Sequence, residues 1–201
     1  MIRTGVRSCL AAWVLGGCAG APPPPDWQLN APSALAAFER HYLAGDTRLA
    51  DLEFARARAE IARTGRGDLL ARAELVRCAA RTASLEFEDC PGFERLRADA
   101  GPDEIAYAEY LLGRRERAPG AEPLSRLVAA GVRMRAGTVT PAEIAGAMEV
   151  ASAQGWRRPL LAWLGVQARR AEAAGDTDAA LRLRRRIELI SGAEVDRARP
   201  Q

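Results

Sequence analysis

Three acidic side chains, Glu86, Glu88 and Asp89, stand almost side by side. Two carboxylates placed on either side of a bond can divide acid and base roles, as in glycoside cleavage. Nothing in the sequence fixes the separation of these three, and they read as a solvated turn. His41 is the single histidine of the chain. With no second ligand or general base beside it, it reads as a packed or surface residue rather than a metal ligand or catalyst. Ser33, Ser84 and Ser125 lack the G-x-S-x-G turn that exposes a nucleophile. There is no glycine-rich phosphate loop and no C-x-x-C pair. These residues point to no catalytic group, no metal site and no cofactor, so a non-enzymatic protein is expected.

The N-terminus carries a clearer message. Arg3 and Arg7 precede a short apolar run from Cys9 to Leu15, a signal-peptide layout too short to span a bilayer. Leu15-Gly16-Gly17-Cys18 then resembles the bacterial lipobox. That resemblance implies cleavage before Cys18, a diacylglyceryl group on its thiol and acylation (palmitate) of its new amino terminus. Several acyl chains make a firm anchor where one gives only marginal binding. Ala19 stands where an inner-membrane retention signal would be Asp. The implied address is therefore the outer membrane, lipid-anchored and facing the periplasm. The alternative is an ordinary secretory signal cut near Ala19 or Ala21. Pro22 to Pro25 favour extended polyproline II and would hold the body off the lipid. The organisation expected is a signal peptide over 1–17, a lipidated cysteine and Pro-rich linker over 18–32, a helical domain over 33–191 and a tail over 192–201.

The mature chain then has 184 residues (201 − 17), enough for one domain with a real core. Losing Arg3 and Arg7 reduces the formal net charge from +3 to +1 (3 − 2). That balance and the compartment argue against nucleic acid as a partner. Of four cysteines, Cys78 and Cys90 remain, and in an oxidising compartment they suggest one disulfide; two unpaired buried thiols are the alternative.

All 29 basic side chains are arginine. Arg157-Arg158, Arg169-Arg170 and the run Arg182, Arg184, Arg185, Arg186 could meet lipopolysaccharide, wall carboxylates or an acidic partner. Glu172, Asp176, Asp178 and Glu188 are interleaved with them, which reads as a solvated helical face. Trp163 sits among Leu160, Leu164 and Ala168 and reads as core. Trp156 falls in a turn and, with Arg157 and Arg158, is the candidate contact surface. Trp27 follows the prolines and is placed to pin the linker to the body.

The elements that carry these residues read as all-α. Alanine, leucine, arginine and glutamate dominate beyond Pro32, and β-branched runs are nearly absent. Ser33, Asp46, Asp68, Thr140, Pro159 and Asp176 mark helix starts, with Thr140-Pro141-Ala142-Glu143 forming a capping box. Ala50, Phe54, Ala57 and Ile61 keep helical spacing, as do Leu69, Ala73, Val76 and Ala80. So do Ile144, Met148 and Ala151, and Ala180, Leu183, Ile187 and Ile190. Short connections make neighbouring helices antiparallel hairpins. "AGDT" occurs at Ala44 to Thr47 and again at Ala174 to Thr177. With Ala50, Phe54 and Ala57, the first copy resembles the turn and second helix of a tetratricopeptide repeat. The second departs from it, with Arg184 and Ile187 where the aromatic and the small residue would be. The resemblance implies stacked helix pairs; the alternative is an irregular helical bundle.

The function expected is that of a scaffold or adaptor, holding an unidentified envelope protein in a groove near the membrane. The alternatives are a wall-turnover hydrolase, such as a lytic transglycosylase-like enzyme, and a purely structural lipoprotein with no groove.

Overall fold

Glycine followed by aspartate ends one helix and starts the next. Gly45 adopts φ 90°, a left-handed conformation that side chains disfavour. There its N–H bonds Tyr42 O at 3.0 Å while Asp46 N–H bonds His41 O at 2.9 Å, closing the helix end in a Schellman arrangement. The Asp46 carboxylate then accepts the Leu49 N–H and caps the following helix. The second "AGDT" repeats this: Gly175 N–H bonds Glu172 O, Asp176 N–H bonds Ala171 O, and Asp176 accepts from Ala179 N–H at 2.9 Å.

The computed structural model describes residues 24–198, with side chains through 192. Cys9 and Cys18, and the signal, lipobox and first six residues (18–23) of the linker assigned from sequence, lie outside the described residues. Within them the chain is all-α. The order is α1 (Asp26–Ala44), α2 (Thr47–Ala62), α3 (Gly67–Ala83), α4 (Pro91–Glu94), a 3-10 turn (Arg97–Asp99), α5 (Pro102–Leu111), α6 (Pro123–Arg135), α7 (Pro141–Ala153), α8 (Arg157–Ala173) and α9 (Thr177–Ala198). No strand occurs among the described residues.

Two expected boundaries move. The helical body begins at Asp26 rather than residue 33, so Trp27 lies in the first turn of α1 and Ser33 is interior rather than a cap. Pro32 sits inside α1 with its ring exposed, where a freed carbonyl can turn to water. Ala31 and Ala34 on either side are buried, and Ala31 packs with Ile61 and Ala73, which holds this turn against α2 and α3. At the other end α9 continues to Ala198, through most of the expected tail.

Helix α3 is the hub. It packs against α1, α2, α4, α5 and α6. It is buried over far more than one stripe, including Ala71, Leu75, Cys78, Ala79 and Ala83. Gly131 of α6 lies against Thr82, so close that a β-carbon there would overlap the Thr82 carbonyl. Trp163 of α8 is fully buried and donates its indole N–H to Ala83 O at 3.1 Å. Helix pairs α1–α2, α7–α8 and α8–α9 form the expected hairpins, and α1 also lies against α8. A linear stack, in which each unit touches only its neighbours, lacks such a contact.

Cys78 and Cys90 form a disulfide with Cα atoms 5.6 Å apart. It draws the irregular segment after α3 back onto that helix. Both cysteines are buried, and Cys90 takes a left-handed φ of 46°.

Candidate functional site

Three helices each contribute one stripe to a common cleft. On α1, Ala36, Glu39, Arg40 and Leu43 recur at i, i+3, i+4 and i+7. On α3, Arg72, Leu75, Val76 and Ala79 have the same spacing. On α5, Glu104, Tyr107 and Tyr110 complete the walls. The segment Arg117–Ser125 and Val128 of α6 close another side, and Trp156, in the turn before α8, lies at the edge. The open cleft offers about 950 Å³, within the range of ligand-binding clefts. Its floor is apolar and its rim is charged.

The charges are not equivalent. Arg72 reaches from α3 to Glu104 of α5, with Nε donating at 2.9 Å to Oε1. This hydrogen bond, with the carboxylate's backbone contacts, holds the Glu104 carboxyl below its ordinary range. Glu39 differs. It is half-buried and has neither an ion pair nor a hydrogen bond among the described residues. Burial pushes its carboxyl above the usual carboxylate range. Burial, then Tyr110, push the Tyr107 phenol up to about 12; the Glu39 charge adds to this and Arg117 opposes it. Tyr107 and Tyr110 stand 5.8 Å apart between ring centres, and the Arg117 guanidinium lies 5.1 Å from the Tyr107 ring centre.

The structure divides the contact trio read from sequence. Trp156 borders the cleft, but Arg157 and Arg158 turn to the end of α1. Arg157 Nε donates to Ala44 O at 3.1 Å. Arg158 donates to Tyr42 O at 2.8 Å, to Thr47 Oγ1 at 2.6 Å and to Glu86 Oε1 at 3.1 Å, and covers the Tyr42 ring at 4.3 Å. Arg157 thus reaches a carbonyl of the last turn of α1, where helix ends leave carbonyls without intrahelical partners, and Arg158 adds a second bond to Tyr42 O, which already accepts from Gly45 N–H. The reason is the α1–α8 contact, which brings the first turn of α8 onto the first "AGDT" turn. Burial, then the nearby Glu86 carboxylate, raise the Tyr42 phenol above its ordinary range.

The acidic cluster is likewise occupied. Glu86 meets Arg158 and Arg81, Glu88 meets Arg81 at 3.3 Å, and Asp89 meets Arg135 at 2.6 Å. These arginines tie the disulfide-held segment to α3, α6 and α8. His41 is half-buried near the end of α1, and no group of side chains suited to holding a metal occurs among the described residues.

Sequence reasoning missed Glu39 and Arg117, and used Tyr107 and Tyr110 only to trace a helix. The only local signal on α1 is the position of Glu39 between the core residues Phe38 and Leu43, a charge set at the margin of the buried face. The closure by α5 and the Arg117–Ser125 segment depends on tertiary packing and left no local mark. No family model matches this chain, and no curated protein or solved structure matches it.

Proposed function

We propose that this chain is a lipid-anchored periplasmic lipoprotein of the outer membrane. Its role is that of a non-enzymatic adaptor whose cleft grips a segment of an envelope protein. The observation that carries the reading is the cleft itself, which joins an apolar floor to aromatic and charged walls. A purely structural lipoprotein has no need of such a feature. The lipobox-like Leu15–Cys18 supports the address, and acylation at Cys18 would raise the local concentration of the body at the membrane. The test is site-specific photo-crosslinking in cells from Ala36 and Ser125 in the cleft, with exposed Leu189 on α9 as control. One product shared by the two cleft positions, absent from Leu189 and lost with Cys18→Ala, is expected. Equal labelling at all three positions would count against the adaptor.

Glu39 favours a second reading. A desolvated carboxyl in a cleft is the group a wall hydrolase needs as general acid. Purified protein would then release soluble fragments from peptidoglycan, and Glu39→Gln would abolish the release. Intact sacculi after prolonged incubation would remove this reading.

A further inference from the structure

Every buried or half-buried carboxylate among the described residues meets an arginine, with one exception. Glu53, Glu60 and Asp68 pair locally, Glu74 lies between Arg58 and Arg77, and the remainder pair with arginines of neighbouring elements. Glu39 is the exception, although arginine is abundant and three arginines line the same cleft. Arg72 is committed to Glu104 and Arg117 to the Tyr107 ring, while Arg40 is exposed. Glu39 is half-buried with its oxygens open to the cleft, so an unpaired carboxylate there, partly shielded from water, offers an accessible place for positive charge from outside.

The neighbours suit the same visitor. Tyr107, Tyr110 and Trp156 line the cleft with Glu39, and aromatic faces attract guanidinium groups, as Arg117 over Tyr107 already does. The lining carries four carboxylates against three arginines, a formal charge of −1 (3 − 4). The half-buried apolar side chains of Val76 and Leu124 and the volume of about 950 Å³ exceed the needs of one head group. They fit a short stretch of polypeptide with apolar residues flanking the cation.

We propose that the cleft binds a protein segment that carries an arginine between apolar residues, with its guanidinium seated against Glu39 and the aromatic wall. This rests on the adaptor reading and names the chemistry of its partner. The test uses the mature lipidated chain in detergent. It is first presented with a random hexapeptide library, and the best binder is then remade with citrulline, the uncharged isostere, in place of arginine. Arginine-containing peptides should dominate the retained pool. Citrulline should weaken binding about tenfold, the scale of one charge-assisted pair in a sheltered site. Glu39→Gln should abolish the difference between the two peptides while still binding the citrulline form. Binding of the arginine peptide should also return the Glu39 carboxyl, followed by carbon NMR, toward its ordinary range. If peptides bind but arginine and citrulline are equivalent, or Glu39→Gln leaves the difference intact, this inference fails and the adaptor reading stands. If no peptide is retained, both fail.

Discussion

At the scale of single residues, two glutamates show what burial does with and without a partner. Glu74 is 2 % exposed, and its two carboxylate oxygens meet Arg58 at 3.1 Å and Arg77 at 2.9 Å. Arg77 also covers the Phe54 ring at 4.7 Å, so the carboxylate ties α3 to α2. Glu74→Ala should destabilise the fold by about 2 kcal/mol in urea unfolding, because both arginines can still reach water once the carboxylate is gone. Gly92 presses on the same carboxylate, and a β-carbon there would overlap it. Gly92→Ala should therefore lower stability by about 1–3 kcal/mol, the usual cost of overpacking. Glu39 behaves in the opposite sense. Its folded-state pKa is raised, so between the unfolded and folded values the native state holds the extra proton. Stability from this group is full below its unfolded pKa and falls as pH rises through the folded pKa. Glu39→Gln should accordingly melt higher than wild type at pH 7, and the gap should close below the ordinary carboxylate range. Melting curves that stay parallel from acid to neutral pH would show that Glu39 is not desolvated.

At the scale of elements, Gly131 and the disulfide fix how other segments meet the α3 hub. Gly131→Ala would drive a methyl into the Thr82 carbonyl, and the two helices can only part to admit it. A loss of about 1–3 kcal/mol is expected, with the Cys78–Cys90 bond intact. Replacing both cysteines with alanine should cost about 3 kcal/mol, the scale for a short closed loop. Because both sulfurs belong to buried residues, the native protein should resist mild reductant until it unfolds. Helices were the most legible part of the sequence. The set Ala50, Phe54, Ala57 and Ile61 is the whole buried face of α2, because a helix packed on one side has a single stripe to show. Helix α3 was legible only in part. Its stripe of Ala73 and Ala80 is buried, but so are Leu75, Cys78 and Ala83, since helices crowd it from several directions. The start of α1 was hidden because Pro32 reads as a boundary, whereas the burial of Ala31 and Ala34 carries the helix past it. The cleft was the least legible, since its walls come from stripes far apart in sequence and its defining feature is the partner that Glu39 lacks among the described residues.

At the scale of the whole molecule, the decisive contact joins the first hairpin to the last. The "AGDT" turns resemble repeat turns because glycine-then-aspartate chemistry suffices to end one helix and cap another; long-range packing sets the architecture. Arg158 spans Tyr42, Thr47 and Glu86, and Trp163 bonds across to Ala83, so α8 is fastened to α1, α2 and α3 together. In a stack of independent pairs, terminal helices fray first and exchange their amides early. Here α1 and α8 should share the slowest exchange class with α3, and thermal unfolding should follow one transition by every probe. Arg158→Ala should lower that transition without splitting it, because it loosens a joint common to several helices. Arg158→Lys should rescue little, since an ammonium cannot reproduce the forked, stacked geometry of the guanidinium. If Arg158→Ala instead releases α1 and α2 in a separate early step, the two hairpins are independent units. The cleft walls, which draw on α1, α3, α5 and α6 together, would then lose their common frame.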